Sequence, residues 1–216
     1  MILSQFTSAF EELYARIKWQ VRSKAFRKCD FQLLRAYAFC SSYRLARRGF
    51  TKALIAPPYG HTPLSTFEQI ATFAGIKPGM RVVELGCGDG RLVLWLAAAL
   101  NCTAVGVDSF EPFIRRAKQV ACEKASFLRG DLLEAPIESA DIIYFYSTGF
   151  DSEYLKSLSK HLESAPDGCR LITVSFPIKE IDPLSSFYVK KRRLFAFPWG
   201  KGNVYIQVKQ PSVPKP

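Results

Sequence analysis

The sequence has only two histidines, His61 and His161, far apart, and no C-x-x-C pair among its six cysteines. That spacing offers no zinc-ligand set. Cys29, Cys40, Cys87, Cys102, Cys122 and Cys169 read as reduced thiols rather than as a disulfide framework. No run reaches the ~18 consecutive apolar residues of a membrane-crossing helix. The start, MILSQFTSAFEELYARIKW, puts its charge after the apolar part and has no small-residue cleavage site, so it is not a secretory signal. Glu11 and Glu12 are out of place in a mitochondrial presequence. These absences lead us to expect a reducing compartment, the cytoplasm, with membrane association as a variant of that reading. Acid is also scarce where base is dense. Of the formal charge of +11, +8 falls in residues 1–56, where eleven Lys/Arg face Glu11, Glu12 and Asp30. Whatever partner this charge implies meets that segment: an anionic membrane, RNA or an acidic protein face.

What is present fits one domain plus an extension. The chain has 216 residues, 48% of them hydrophobic, enough to bury a core. Phe6, Phe10, Leu13, Ile17 and Val21 recur at helical spacing. A second helix is expected to open at Asp30 as N-cap and to stop at Gly49, with Phe31, Leu34, Tyr37, Ala38 and Leu45 as its apolar set. APPYGHTP, with Pro57, Pro58 and Pro63, breaks the helical pattern and separates a basic helical extension (1–56) from the main domain (57–209). QPSVPKP closes the chain as a flexible tail (210–216). Within the domain, apolar strand patterns alternate with helical ones: MRVVEL, CTAVGVD, SFLRGD, ADIIYFYS and CRLITVSF. The last two strands, FYVKKRRLFAF and NVYIQVKQ, are joined through PWGKG as an antiparallel hairpin. This order predicts an α/β fold, a doubly wound, mostly parallel seven-strand sheet of Rossmann-like type whose last strand is antiparallel.

The most informative stretch is VVELGCGDGRLV, residues 82–93, with Gly86, Gly88 and Gly90 at every second position. Strand, glycine turn and helix bring a nucleotide-like ligand to strand C-termini. The dinucleotide fingerprint G-x-G-x-x-G places its third glycine one residue later, and its pyrophosphate would be repelled by Glu84 and Asp89. Those acids suit a cationic ligand. S-adenosylmethionine (SAM), with an ammonium and a sulfonium, is one.

Glu84-x-Gly86-x-Gly88-x-Gly90 resembles the first signature of the class I, seven-strand SAM-dependent methyltransferases. The resemblance implies roles for residues further on. Asp108, in AVGVDS and followed by Ser109, stands where that family binds both ribose hydroxyls, and a carboxylate has two acceptor oxygens for the task. Asp131 in RGDLL falls near the adenine amino group, with Leu132 against the ring. Cys87 is a small filler of the turn. PYGHTPLSTFEQI and FPWGKGNVYIQV are similar to segments of the histone-lysine methyltransferases that lack a SET domain. YFYSTGFDSEYL is similar to one in small bacterial and mitochondrial protein-lysine methyltransferases. On that likeness Tyr59 and Thr62, with Gly60 between them in the segment, lie over the methionine end of SAM; His61 departs from the acid those enzymes carry. Trp199 and Tyr205 would line a lysine channel. The likeness spans residues 57–209 and leaves the extension outside.

One departure bears on the substrate. Tyr146-Ser147-Thr148 follows the fourth strand where amino-directed nucleic-acid methyltransferases carry Asn/Asp-Pro-Pro-aromatic. The histone enzymes carry paired asparagines at this place, so the segment departs from them too. It argues against methylation of a base amino group and leaves a protein lysine, the acceptor that the resemblance implies, allowed. Tyr146, Trp199 and Tyr205 would wall the acceptor channel, Tyr146 would also touch SAM, and Ser147 would offer a hydroxyl or carbonyl to the acceptor nitrogen. A small-molecule or RNA substrate, or SAM binding without turnover, are the alternatives. For the extension, a brace on the catalytic domain stands beside the anionic partners already named.

Overall fold

The computed structural model describes residues 2–42, 44–46 and 61–211, with side chains of the first helix from Phe10 onward. Tyr59, Gly60, Pro57, Pro58, Gly49 and residues 212–216 lie outside the described residues, and so does the expected boundary between extension and domain.

Seven strands form one sheet: β1 (Arg81–Leu85), β2 (Thr103–Asp108), β3 (Ala125–Arg129), β4 (Ile142–Phe145), β5 (Arg170–Val174), β6 (Phe187–Phe197) and β7 (Gly200–Lys209). Their order is β3-β2-β1-β4-β5-β7-β6. β1 to β5 run parallel, and β7 is antiparallel to both of its neighbours. The order reverses between β1 and β4, and the crevice outside the C-terminal ends of those strands is where this architecture takes ligands.

The central strands β1, β2, β4 and β5 are apolar on both faces because both faces are covered. Val82, Ala104, Ile142 and Ile172 point into one core, and Val83, Val105, Ile143 and Leu171 into the other, as a two-residue period requires. The second core is closed by α6 (Ser152–Leu162), whose N-cap Asp151 accepts from the Tyr154 amide as the sequence suggests. The first is closed by α1 (Ile2–Arg22), α2 (Lys24–Ala36), α3 (Leu64–Ala74), α4 (Arg91–Ala98) and α5 (Glu111–Ala117). Trp95 of α4 is at the centre of this layer. Its ring is edge-on to Trp19 of α1 at 5.2 Å and to Phe67 of α3 at 5.9 Å. Truncating such a ring to alanine costs about 3–5 kcal/mol. The N-terminal helices thus share the core of the sheet.

Two expectations for the extension need correction. Asp30 is not an N-cap. α2 opens at Lys24, and Ser23 caps it by accepting from the Phe26 amide at 3.1 Å. Asp30 lies inside the helix, fully buried. The inward side chains of α2 are Phe26, Cys29 and Leu33, whereas Phe31 and Leu34 of the expected apolar set are exposed. β6 is an edge strand whose exposed run Lys190, Lys191, Arg192 and Arg193 keeps the free edge from pairing with another chain.

Candidate active site

The glycine turn is built by backbone demands. Gly86, Gly88 and Gly90 have φ of 79°, 52° and 80°, where side chains with a Cβ are strained. A Cβ on Gly90 would also stand 2.5 Å from the Phe127 ring. The turn is fastened to β2: the amides of Gly86 and Cys87 donate to Val107 O at 2.8 and 3.0 Å, and the Gly88 amide donates to Asp108 Oδ2 at 2.9 Å. The other Asp108 oxygen accepts from the Phe110 amide at 2.8 Å. Cys87 fills the space over Gly106, where an added Cβ would meet its sulfur at 2.7 Å.

Above this turn is a cavity of about 730 Å³. Thr62, Glu84, Gly86, Cys87, Gly88, Asp108, Ser109, Asp131, Leu132 and Tyr146 all line it, so the structure brings together sequence-predicted residues from five separate segments. Gly90 closes the turn behind the wall. Six carboxylates line the cavity, those of Glu12, Glu84, Asp89, Asp108, Asp131 and Asp151, against one guanidinium, that of Arg91. In a chain of net +11 this is a local reversal of sign, and it asks for a cationic ligand.

Glu84 carries the demand furthest. It is 5% exposed, and its Oε2 has no hydrogen-bond partner among the described residues. Burial first, and then the carboxylates of Asp89 and Asp108, push it well above the usual carboxylate range. Asp108 is also raised by burial, but the Phe110 and Gly88 amides oppose that shift by bonding the ionised form.

Three lining residues had no local mark in the sequence. Glu12 reaches the cavity from α1; its Oε2 accepts from the Ser65 amide at 3.3 Å, and its Oε1 is buried without a partner among the described residues. Tyr154 of α6 donates to Asp131 Oδ1 at 2.5 Å and stacks on Phe150. Tyr144 of β4 pairs with the Thr62 hydroxyl at 2.5 Å.

Also on the cavity wall, Tyr146 accepts a hydrogen bond from Trp199 Nε1 at 2.6 Å. Trp199, in the turn between β6 and β7, stacks on Phe197 at 5.1 Å and lies over Gly202, which has no Cβ to obstruct it. Trp199 therefore stands one side chain behind the wall. Ser147 and Tyr205 are not brought to the cavity. The Ser147 hydroxyl is buried and donates to Val174 O. Tyr205 pairs in register with Thr173 and is buried on the sheet face opposite Val204 and Ile206, away from Trp199.

Comparison with known proteins agrees with this geometry. The family described as "Methyltransferase domain" matches residues 82–165. A protein-lysine N-methyltransferase of Saccharolobus islandicus is 30% identical over 133 residues, which span 58% of this chain and 81% of that protein. The chain belongs to the class I SAM-dependent methyltransferases. Two solved structures of the same fold are an RNA methyltransferase from Salinibacter ruber in complex with S-adenosyl-L-homocysteine and the magnesium protoporphyrin IX methyltransferase of Synechocystis with bound SAM. The first has a TM-score of 0.58 at 19% identity, covering 72% of this chain and 97% of that one. The second has a TM-score of 0.57 at 18% identity, covering 93% and 97%. The cavity of this methyltransferase fits the family's cofactor on its own terms: an orphaned buried carboxylate oxygen, bare glycine backbone and an acid at the tip of each of β1, β2 and β3.

Proposed function

We propose that this methyltransferase transfers the methyl group of SAM to the side-chain amine of a protein lysine. The carrying observation is the acid-lined cavity with Tyr146 on its wall and Trp199 behind it. The lysine acceptor is supported by the Saccharolobus relative and by Tyr146-Ser147-Thr148 in place of an amino-directed Asn/Asp-Pro-Pro-aromatic motif.

Asp108 would hold the ribose hydroxyls, Asp131 and Leu132 the adenine, and Glu84 with the glycine turn the amino-acid end. When bound, SAM supplies an electrophilic methyl on a sulfonium. The chain's own work is to align and to dry. Reactant alignment at near-contact distance accounts for much of such a rate enhancement. Tyr144 and Tyr146 present phenol rings to the cavity, and their hydroxyls are engaged by Thr62 and Trp199. Loss of hydration between these walls disfavours an ammonium, so an arriving lysine gives up its proton to solvent and offers a lone pair. No protein base is required at the acceptor.

The test is methyl incorporation from labelled SAM into a cell lysate treated with the purified protein, followed by peptide mass spectrometry. Label on lysine peptides is the expected result. Label confined to RNA or to solvent-extractable material refutes the lysine acceptor, and SAM binding without product in any fraction refutes turnover.

A further inference from the structure

The outer face of the N-terminal helices carries large apolar side chains that no described residue covers. On α1 these are Phe10, Leu13, Tyr14, Ile17 and Val21, spaced by three and four residues over three turns; Phe10 is 71% and Val21 77% exposed. The inner face of the same helix, with Ala15 and Trp19, is docked on the core. On α2, Phe31 and Leu34 face out, at helical spacing with Lys24, Arg27, Lys28 and Arg35. None of those four bases pairs with an acid among the described residues. The two helices are held side by side, since Asp30 of α2 accepts from Arg16 and Gln20 of α1.

We propose that this face docks on an anionic phospholipid surface, the apolar row entering the headgroup–acyl boundary and the bases meeting lipid phosphates. Helices that lie in a membrane interface combine these two features. Other occupants fit less well. RNA would use the bases but gain little from Leu13, Ile17 and Val21, which cannot stack as aromatic platforms do. A second copy of the chain would bring one +8 segment against another. No described helix is long and apolar enough to cross the bilayer, so the contact is peripheral.

Sedimentation of the full chain with vesicles tests this. One set is phosphatidylcholine alone; the other is phosphatidylcholine mixed with phosphatidylglycerol. Two variants complete the design: Phe10→Ser with Ile17→Ser, and Lys24→Glu with Lys28→Glu. All four side chains are exposed, so thermal unfolding should match the parent. The expected result is sedimentation with the mixed vesicles only. It should be lost with the serine pair and weakened by about fivefold or more for each base removed. Failure to sediment, or sedimentation that neither variant disturbs, overturns the proposal. So does a dimer in analytical ultracentrifugation that the serine pair dissociates while vesicles bind nothing, or binding of a single-stranded RNA in place of vesicles.

Discussion

Arg91 Nε donates to Asp30 Oδ1 at 3.3 Å, so the first residue of α4, directly behind the glycine turn, is fastened to the second helix of the chain. The same aspartate takes Arg16 at 2.9 Å and is fully buried, while Arg91 also lies 3.7 Å from Asp89 in the turn. The extension is therefore wired to the glycine turn through Asp30, in addition to reaching the cavity itself through Glu12. Removing Asp30 leaves Arg16 without this carboxylate and Arg91 with Asp89 alone, and breaking a buried pair in this way costs about 3–5 kcal/mol. Asp30→Ala should lower stability in urea by that amount and weaken SAM binding in parallel. A loss under about 1 kcal/mol, the range of an exposed ion pair, would contradict this assignment.

Asp108 does two jobs with the same two oxygens. Its oxygens hold the Gly88 and Phe110 amides, and it lines the cavity where the ribose would lie. Asp108→Asn keeps one acceptor oxygen for the backbone but replaces the other with a donor. SAM affinity measured by calorimetry should fall by about 1.5–3 kcal/mol, the scale of hydrogen bonds to a charged group. Unchanged affinity would remove Asp108 from the cofactor site.

Glu84 makes SAM binding depend on pH. Its folded value is raised by burial and by Asp89 and Asp108, above an unfolded value of about 4.3. In the free protein the stability linked to this group is therefore fully present below about pH 4.3, and it is lost as pH rises through the raised folded value. A bound cation favours the carboxylate, so a proton should leave on binding and affinity should climb with pH through the same window. Calorimetry in buffers of different ionisation enthalpy counts that proton. Glu84→Gln should abolish the release; a count of zero for the parent at every pH in the window would sink the idea.

The sheet and the cofactor half of the cavity were legible in the sequence because backbone rules write them there. Three positive-φ positions in one turn need Gly86, Gly88 and Gly90, and acids at successive strand ends recur at readable spacing. What was hidden depends on tertiary neighbours. Ser23 and Asp30 are both good capping residues. The first won because its hydroxyl also reaches Ala98 O at 2.9 Å, and the second became the anchor of two arginines. Glu12 and Tyr154 approach the cavity from segments far apart in the chain, with no local pattern to mark them. Tyr205 misled for another reason: Val204 to Gln207 are buried on both faces, so alternation does not say which face borders the cavity.

Trp199 stands behind Tyr146 and outside the cavity lining. Its indole N–H is held by Tyr146, and its ring is stacked on Phe197, so the side chain is ordered although half-exposed. It touches Tyr146, a wall residue, and no acid of the cofactor end. Trp199→Phe keeps a ring on Phe197 and removes the hydrogen bond; Trp199→Ala removes both. SAM affinity should be unchanged in each. Turnover should fall in the order parent, Phe, Ala, because a freed Tyr146 holds the acceptor less tightly, and misplacement at the reacting atoms costs up to about 100-fold. If neither variant slows turnover, the hairpin serves only the sheet. If SAM binding falls instead, the indole belongs to the cofactor end, and Tyr146 with it.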